Sequence, residues 1–394
     1  MRIGIIGAGP GGSQCAETLS KAGADVLLLD PRGAWEKPCG GGVTHKALIR
    51  YPFLWEGVDK GREIRRLEIL SPQDRVLVVT LEYPLVTYSR GTLNRLLLDR
   101  AIAQGARFLH ERVITFTTSS SGWEIKTDRT SHLVNFLVGA DGVNSLVRKR
   151  LGQPFAKGDL MMTFGYRQQR QGGSTIELKF YPGFPGYLWV FPRAENISFG
   201  ICGKLDRVGM GMLKAKLHDY IRKTDRSSVL GLEGPGLPAP CELYGALVPS
   251  LRPDALRKNV IFGKGWALVG DAAGFADPIT AEGIYYALRS GELLAEALKI
   301  QDVDSYAEAC RVEFVSDFIS GAEFFDHFYA GSFLGSSFIN RMIQIACHST
   351  TLRKVVNSFV AGQQPYRTLR TALLEKMPKV AGDMLLSVIA SSFS

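Results

Sequence analysis

The feature that most constrains the fold is a glycine-rich turn that follows an apolar run at the start of the chain. Residues 2–6 read RIGII, which is typical of a buried parallel strand, and they lead directly into GAGPGG at 7–12. A helix-compatible stretch at 13–22 and a second apolar run at 26–29 follow, and this run ends at Asp30. Strand, turn, helix, strand and acid in this order predict a βαβ unit that binds a dinucleotide.

The glycines of this turn occupy the first, third and sixth positions of the G-x-G-x-x-G pattern. Gly7 permits the tight turn, Gly9 lets backbone approach a pyrophosphate, and Gly12 lets the helix pack against the sheet. The helix N-terminus offers free N–H groups to phosphates, and Asp30 can accept hydrogen bonds from ribose hydroxyls. The pattern serves FAD and nicotinamide cofactors alike, so the turn alone does not choose between them.

Composition is ordinary for a globular protein of two or three structural units, with 394 residues, 45% hydrophobic and 22% charged. We expect no membrane-spanning helix, because no window holds eighteen uninterrupted apolar residues. Met1 begins a strand almost at once, so we expect no signal peptide. The six cysteines are scattered without a C-x-x-C pair, which predicts neither a disulfide scaffold nor a metal site and favours a reducing cytoplasm.

The net charge of +9 suits an anionic membrane surface, a phosphorylated substrate or an acidic redox partner. A basic surface on an ordinary soluble protein explains the charge equally well. Nucleic acid is not an expected partner, because no compact basic run with interleaved aromatic residues occurs.

Further segments place glycine where a strand pattern ends. Cys39 is followed by three glycines at 40–42, whose entropic cost is explained by backbone lying flat against a planar ring, with a surface loop as the alternative. The sequences GADGVNS and GDAAGFADP begin at residues 139 and 270, and a helix is predicted from about 281 to 300. Beyond a glycine- and proline-rich loop at 231–240, the chain is helical in pattern from 303 onward.

In this order, the opening turn, 139–142 and 270–272 resemble the FAD-binding domain of para-hydroxybenzoate hydroxylase-type flavoproteins. Two other segments, KPCGGG at 37–42 and GYLWVFP at 186–192, resemble the signatures of the geranylgeranyl reductase family, whose members reduce isolated double bonds in prenyl chains. The resemblance covers residues 1–300 strongly, and YRTLR at 366–370 matches loosely. It implies FAD as the cofactor.

The resemblance assigns cofactor contacts to several separate segments. The residue matching Asp271 bonds the ribityl or pyrophosphate region of FAD, and the helix after Pro278 points its N-terminus at the flavin, where backbone N–H groups stabilise negative charge. Arg90 matches a cofactor contact, with an exposed arginine as the alternative, and Asp141 either contacts the ligand or holds its own turn. The expected cofactor-binding residues are Gly7, Gly9, Pro10, Gly11, Gly12, Asp30, Pro31, Cys39, Gly40, Gly41, Gly42, Arg90, Asp141, Gly270, Asp271, Pro278, Glu282, Gly283 and Ile284.

Reduction of an isolated alkene takes a hydride from flavin N5 and a proton from a site donor, in an apolar tunnel whose aromatic faces tolerate positive charge. Tyr187, Trp189 and Phe191 alternate with Leu188 and Val190, so all three are predicted on one strand face, as tunnel lining or as ordinary sheet core. Cys39 is the candidate proton donor, with a merely packed thiol as the alternative. The predicted catalytic residues are Cys39, Gly41, Tyr187 and Trp189.

The predicted fold class is α/β, with a discontinuous Rossmann-type FAD-binding domain, an inserted β-sheet substrate domain and a helical C-terminal region. The FAD-binding domain is expected to comprise residues 1–60, 86–155 and 255–302. The substrate domain is expected to comprise 61–85 and 156–254, and the helical region 303–394.

Three other functions stay open on the sequence. A flavin monooxygenase that hydroxylates an aromatic ring uses the same cofactor fold, although the Cys-Gly-Gly-Gly segment argues against it. A flavin-dependent halogenase shares a faint likeness in YLWVFP at 187–192, but it needs a lysine in the first half of the FAD domain, and none occurs between Lys60 and Lys126. In the third reading, FAD is a structural element of a lipid-binding protein or an isomerising cyclase.

The expected substrate is a hydrophobic isoprenoid or polycyclic small molecule, and the expected electron donor is NAD(P)H or a ferredoxin-like protein, which binds transiently. The phenylalanine-rich segment 314–338 either caps a lipid tunnel, rests on a bilayer surface or forms helical core. The expected location is the cytoplasm, with peripheral membrane contact as one option.

Overall fold

A computed structural model describes residues 1–57, 60–169, 172–224 and 241–392, with side chains of the last helix described as far as residue 383. The strands are β1 (Arg2–Ile6), β2 (Asp25–Leu29), β3 (Gly42–Val43), β4 (Arg62–Leu70), β5 (Val76–Thr87), β6 (Arg107–Leu109), β7 (Val113–Ser119), β8 (Gly122–Thr127), β9 (Ser131–Val134), β10 (Phe136–Gly139), β11 (Leu160–Gln168), β12 (Thr175–Lys179), β13 (Gly186–Pro192), β14 (Ile197–Lys204), β15 (Cys241–Pro249), β16 (Phe262–Gly263), β17 (Trp266–Leu268), β18 (Ser332–Phe333) and β19 (Ser336–Ser337). The predicted loop at 231–240 lies outside the described residues.

The helices are α1 (Pro10–Lys21), α2 (His45–Arg50), α3 (Phe53–Glu56), α4 (Arg90–Ala103), α5 (Leu146–Leu151), α6 (Met210–Lys223), α7 (Pro253–Arg257), α8 (Ile284–Lys299), α9 (Asp304–Cys310), α10 (Ser316–Ala330), α11 (Phe338–His348), α12 (Thr350–Val360) and α13 (Tyr366–Ser392). A π-helical turn, Arg311–Val315, joins α9 to α10, and a short 3-10 turn, Gly270–Ala273, follows β17.

The chain divides into two compact units. The first unit comprises Met1–Lys37, Arg90–Leu160 and Leu247–Ile319, and the second comprises Pro38–Ser89, Met161–Ala246 and Ser320–Ser394. The bounds of these units differ from those of the expected domains: residues 38–60 and 86–89 fall in the second unit, residues 156–160 and 247–254 fall in the first, and residues 303–394 are shared between both. Compact units need not coincide with ligand-binding domains, so the assignment of cofactor and substrate roles to the chain segments stays a prediction.

The first unit is built on a six-stranded sheet in the order β16-β17-β10-β1-β2-β6. The ladders from β17 to β6 are parallel, and β16 pairs with β17 in the antiparallel direction. The apolar run of β1 and its neighbours is buried on both faces, as parallel strands require. The opening βαβ unit is therefore confirmed as the centre of a Rossmann-type sheet.

The two faces of the parallel sheet are covered differently. Helix α1 packs against β2, α4 and α8 on one face. On the other, a three-stranded antiparallel sheet in the order β7-β8-β9 lies against β1, and Gly4 leaves room for the side chains of Ile125 and Val134. The unit is thus a three-layer α/β/β arrangement around one core.

The second unit is built on an eight-stranded sheet in the order β15-β11-β14-β13-β12-β4-β5-β3. Its ladders from β11 to β12 and from β4 to β3 are antiparallel, but β12 pairs with β4 in the parallel direction, with Thr175 opposite Arg66. Helix α6 covers one face, where Leu188, Val190 and Ile201 pack with Leu213 and Leu217.

The C-terminal helices of the second unit break where glycine and proline predict. A short hairpin of β18 and β19 spans the region of Gly331 and Gly335, and Gly362 has a φ of +75° just before α13. Of the phenylalanine-rich segment, Phe314 and Phe318 of the first unit and Phe325 of the second are buried, as helical core requires, whereas Phe324, Phe328 and Phe333 are half-buried. A tunnel cap and a bilayer contact therefore stay predictions. Within the described residues, no helix combines the length and the apolar character needed to cross a bilayer.

Candidate functional site

The glycine-rich segments of the first unit converge at one edge of its parallel sheet. The opening turn follows β1, Ala140 follows β10 and Gly270 comes two residues after β17, and these three strands are direct neighbours. The Ala140 N–H donates to the Ile6 carbonyl at 2.8 Å, which joins two of the turns. Because the carboxyl ends of adjacent parallel strands share one edge, the segments that the sequence separates by more than 100 residues meet at a single edge of the sheet.

The opening turn has the geometry that its glycines predict. Gly7 has a φ of +106°, and a Cβ there would lie 2.3 Å from the Ala140 carbonyl oxygen. A Cβ at Gly12 would lie 1.9 Å from the Gly7 carbonyl oxygen, whereas one at Gly9 would meet nothing within 4 Å. Helix α1 begins at Pro10 and has no side-chain N-cap hydrogen bond, so no N-cap side chain occupies its first N–H groups, which are the groups that bind anions at helix N-termini.

Asp30 stands at the end of β2 and is buried. Its carboxylate accepts the N–H groups of Ala8 at 3.0 Å, Arg32 at 2.8 Å and Gly33 at 3.1 Å, so it ties the opening turn to the loop after β2. Pro31 beside it is exposed. Asp30 therefore has a structural role in addition to the predicted contact with ribose, which a carboxylate with spare lone pairs still allows.

Asp271 lies in the 3-10 turn after β17, where the resemblance expects a cofactor contact. Its Oδ2 is 2.5 Å from Nζ of Lys37, and both side chains are partly exposed. The preceding residue, Gly270, receives support from Ser290, whose hydroxyl accepts the Gly270 N–H at 3.0 Å. Lys37 belongs to the KPCGGG segment, but the sequence does not single it out as a site residue.

The loop between Asp271 and α8 orients the helix N-terminus. The Pro278 carbonyl accepts a hydrogen bond from the Ser250 hydroxyl at 3.0 Å. The helix begins at Ile284, three residues later than expected, because Ala281 has a φ of +57° and Glu282 accepts the Tyr285 N–H at 2.8 Å. Gly283 is the N-cap residue, and a Cβ there would lie 3.4 Å from Asp271 Oδ1. Of the predicted residues of this loop, Gly283 therefore adjoins Asp271.

Asp141 holds its own turn. Its Oδ2 accepts the N–H groups of Leu146 at 2.6 Å and Val147 at 3.5 Å, which begin α5. Burial raises the pKa of this carboxyl, and the hydrogen bonds from Ser145 and the helix N–H groups oppose that rise. The structural role considered for Asp141 is thus observed, and a ligand contact stays a prediction.

Arg90 begins α4 and is only 4% exposed, so the alternative of a surface arginine is wrong. One terminal nitrogen lies 3.3 Å from Asn94 Oδ1, but the buried Nε has no hydrogen-bond partner among the residues that the structure describes. A buried donor without an acceptor is costly, so it indicates a missing partner. Together with the uncapped α1 N-terminus and the open space at Gly9, this donor fits the phosphate and hydroxyl acceptors of FAD.

The Cys-Gly-Gly-Gly segment lies in the second unit. Gly41 has a φ of +82°, its N–H lies 3.3 Å from Cys39 Sγ, and its carbonyl accepts the Tyr88 N–H at 2.9 Å. Gly42 begins the edge strand β3, which pairs with β5. The Phe191 ring lies against Gly40 and Gly42, where any Cβ would come within about 3.2 Å of it. The absence of side chains at these glycines therefore admits an aromatic ring from β13.

The aromatic residues of β13 share one face of their strand, as predicted. Leu188 and Val190 pack with α6, and the rings of Tyr187 and Trp189 are 5.9 Å apart on the opposite face. The aromatic face continues through Phe180, whose ring is 6.1 Å from Tyr187 and 5.9 Å from Phe328 of α10. An unbroken aromatic wall of the second unit thus contains both predicted catalytic aromatic residues.

Polar side chains that the sequence analysis missed connect this strand to the Cys-Gly-Gly-Gly segment. Ser198 on β14 donates to the Cys39 carbonyl at 3.1 Å, lies 2.7 Å from the Tyr244 hydroxyl and 3.4 Å from Nε1 of Trp189. Burial raises the pKa of Tyr244 to about 12, so its hydroxyl stays protonated. Arg193 donates to the carbonyls of Cys39 and Gly40. The position of Arg193 directly after the aromatic strand is the one sequence signal that could have marked it as a site residue.

One family model matches the beginning of the chain. A model described as an NAD(P)-binding Rossmann-like domain matches residues 5–44. This match covers the opening βαβ unit and the Cys-Gly-Gly-Gly segment, and it agrees with the sheet geometry.

Three similar proteins cover about three quarters of this chain. An uncharacterized protein of Methanosarcina barkeri is 30% identical over 325 residues, which span 75% of this chain and 73% of that protein. The chloroplastic geranylgeranyl diphosphate reductase of Nicotiana tabacum is 27% identical, spanning 76% of this chain and 66% of the plant protein. The menaquinone reductase of Mycobacterium tuberculosis is 29% identical, spanning 76% of each.

Two solved structures share the fold. That of a geranylgeranyl bacteriochlorophyll reductase-like protein from Thermoplasma acidophilum has a TM-score of 0.77 at 20% identity, over 98% of both chains. That of the flavin-dependent brominase Bmp2 has a TM-score of 0.72 at 18% identity, over 96% of this chain and 100% of the brominase. At such identities, the likeness establishes the fold alone, and the reaction has to be inferred from the residues of the site.

Proposed function

Because this chain belongs to the geranylgeranyl reductase family of FAD-dependent oxidoreductases, we propose that it reduces isolated carbon–carbon double bonds in a prenyl chain. FAD, when bound, supplies the hydride for this reaction. The protein has to bind and orient both molecules, exclude water and deliver a proton.

The observation that carries the proposal is that the two family signatures meet in one unit. Residues 37–42 and 186–192 are about 150 positions apart in the chain, yet Phe191 lies against Gly40 and Gly42. Ser198 further links the Cys39 carbonyl to the Trp189 indole. Two chance matches would have no reason to share hydrogen bonds and ring contacts, so their meeting supports one common site.

We assign the cofactor to the edge of the parallel sheet in the first unit. The α1 N-terminus would hold the pyrophosphate, and Asp30 would accept a ribose hydroxyl. Arg90 would donate its unpaired Nε–H to a cofactor oxygen, and Asp271 with the N–H groups near Gly283 would hold the flavin end. Gly9 would admit the phosphates closely, because its Cβ position is open.

We assign the proton to the Cys39 thiol and the alkene to the aromatic wall. Protonation of an alkene carbon leaves positive charge on its neighbour, and the faces of Tyr187 and Trp189 would stabilise such charge without water. The Gly41 N–H, 3.3 Å from Cys39 Sγ, would stabilise the sulfur after it gives up its proton. Each of these assignments concerns a residue that the family signatures contain.

The substrate would be an isoprenoid diphosphate or the prenyl side chain of a quinone, which are the substrates that the names of the similar reductases suggest. The net charge of +9 suits an anionic head group or an anionic membrane surface. We propose NAD(P)H or a ferredoxin-like protein as the transient electron donor, and a peripheral membrane contact as the route for a lipid.

An anaerobic reoxidation experiment tests the function. Purified protein loaded with FAD is reduced with dithionite, and geranylgeranyl diphosphate, a prenylated quinone or a simple aromatic acid is added while the flavin absorbance is followed. We expect an isoprenoid to reoxidise the flavin and to gain two hydrogens for each reduced bond by mass spectrometry. The matched control is the fully saturated analogue, which should leave the flavin reduced.

Two outcomes would contradict the proposal. In the first, no isoprenoid reoxidises the flavin anaerobically, while in air an aromatic compound causes the uptake of an equal amount of oxygen; that outcome indicates a monooxygenase. Flavin that no compound reoxidises, in a protein that retains FAD and binds prenyl lipids, indicates the non-redox role.

The proton donor has its own test. Cys39→Ser should retain FAD but reduce the alkene at least about a hundredfold more slowly, because a hydroxyl is a much weaker acid than a thiol. Cys347→Ser is the matched control, since Cys347 is also a free, partly buried thiol of the second unit but lies outside the signatures. Equal turnover of the two variants would remove Cys39 from the mechanism.

A further inference from the structure

Arg193 is the largest of the fully buried side chains, with 1% of its surface exposed. A guanidinium keeps its charge in proteins, and a buried charge is tolerated only where its donors are satisfied. The chain therefore sustains an unfavourable burial directly after the aromatic strand β13, which calls for a specific reason.

The contacts of Arg193 supply that reason. Its Nε donates to the Gly40 carbonyl at 3.0 Å, one terminal nitrogen donates to the Cys39 carbonyl, and the other lies 3.4 Å from Asn196 Oδ1. The two carbonyls belong to consecutive peptide groups, so the planar fork of one guanidinium holds both at once. The Ser198 hydroxyl reaches the Cys39 carbonyl as well, at 3.1 Å.

In a planar trans peptide group the N–H points away from the C=O, so holding the carbonyls of Cys39 and Gly40 also fixes the direction of the N–H groups of Gly40 and Gly41. With the Cys39 and Gly40 oxygens turned toward Arg193, the Gly41 N–H is placed 3.3 Å from Cys39 Sγ. The Gly41 carbonyl is held separately by the Tyr88 N–H at 2.9 Å. The segment that carries the thiol is thus held at three successive carbonyls, two of them by one cation.

We propose that Arg193 is the positioning residue for Cys39, because its guanidinium holds the carbonyls of Cys39 and Gly40 and thereby sets the direction and accessibility of the thiol. Its effect on turnover rests on the proposed function, since only there is Cys39 the proton donor. Its effect on the thiol itself does not, and the two can be measured separately.

The test is the alkylation rate of each cysteine in the FAD-loaded full-length chain, followed with iodoacetamide by peptide mass spectrometry. Arg193→Met removes the cation at similar volume, and we expect the rate at Cys39 to rise roughly tenfold relative to Cys241 and Cys347, because local opening of the segment no longer breaks charged hydrogen bonds. Those two cysteines are also partly buried members of the second unit and serve as internal references. Arg193→Lys, which retains one charged donor, should give a smaller rise.

Lys179→Met is the matched control for a merely structural role. Lys179 is a buried cation of the same unit, 4% exposed, and it donates to the Ser71 carbonyl at 2.7 Å and pairs with Asp74. Its loss should destabilise the unit without raising the Cys39 rate above the two references. The proposal is overturned if Arg193→Met and Arg193→Lys leave the rate ratio at the wild-type value, or if Lys179→Met raises it equally.

Activity gives the second readout. In the anaerobic assay with FAD at saturation, Arg193→Lys should lower the rate of alkene reduction about tenfold, because the thiol is no longer held in one direction. Unchanged reduction in Arg193→Lys would overturn the proposal. If the wild-type protein reduces no isoprenoid at all, the proposed function fails, and the alkylation ratio still decides whether Arg193 positions the thiol.

Discussion

Replacement of Gly41 by alanine tests whether the Cys-Gly-Gly-Gly segment needs its glycine for backbone reasons. Gly41 has a φ of +82°, and a Cβ there would lie 2.0 Å from the Tyr88 carbonyl oxygen. No rotation of the alanine side chain can avoid this contact, because both atoms belong to or are fixed by the backbone. The segment must move, and the hydrogen bond from the Tyr88 N–H to the Gly41 carbonyl is lost with it.

The expected cost has two parts besides the steric contact itself. A non-glycine residue in the left-handed region costs about 1–2 kcal/mol, and loss of one backbone hydrogen bond costs about 1 kcal/mol. The free energy of unfolding should therefore fall by at least about 2–3 kcal/mol. For a unit of roughly 200 residues, that corresponds to a fall in Tm of about 4–12 °C.

Differential scanning calorimetry of the full-length protein measures the effect, with Gly183→Ala as the matched control. Gly183 lies in the same unit and has a φ of +60°, but a Cβ there meets nothing within 4 Å. It should incur only the conformational cost and lower Tm by about 2–4 °C per kcal/mol of that cost. The reasoning is refuted if the two alanine variants unfold at the same temperature.

Two further predictions concern other parts of the chain. Arg90→Met should raise the Kd for FAD about tenfold or more in a fluorescence titration, since a charged hydrogen bond contributes about 1.5–3 kcal/mol. The control is Arg95→Met, which changes a residue of the same helix whose side chain is 62% exposed and should bind FAD normally. Equal affinities of the two variants for FAD would exclude Arg90 as a contact. Asp383 accepts hydrogen bonds from Ser349, Thr350 and Thr351, which lower its pKa from 3.8 to about 2. Because the pKa is lower in the folded state, this stabilisation is present above pH 3.8 and is lost as the pH falls toward about 2. The Tm difference between wild type and Asp383→Asn should therefore shrink over that range. A constant Tm difference would contradict the assignment.

The parts of the fold that the sequence predicts are those specified by neighbouring residues. The opening βαβ unit and the alternation along β13 follow from local patterns of apolar residues and glycine. The start of α8 was placed three residues early, because alanine and glutamate are good helix formers. Nothing in the residue types indicates that Ala281 takes a left-handed conformation, that Glu282 accepts the Tyr285 N–H, or that Gly283 is the N-cap residue.

The missed parts depend on partners far away in the chain. Arg193 contacts Cys39 and Gly40 across 154 and 153 residues, and Tyr244 reaches Ser198 across 46. The parallel pairing of β12 with β4 likewise joins residues 175–179 to 66–70. A single sequence contains no local pattern for such contacts. The turns at the edge of the parallel sheet could therefore be predicted from known turn geometry, whereas the residues that surround the Cys39 thiol could not.

The interleaving of the two units has a consequence for synthesis and engineering. The polypeptide passes from one unit to the other five times, and neither unit corresponds to a continuous stretch of the gene. During synthesis on the ribosome, β10 is made long before β17, so the ladder that pairs Leu137 with Trp266 forms only late. The second unit therefore cannot be exchanged between relatives as one continuous segment, and nascent chains released early would expose unpaired strand edges to aggregation.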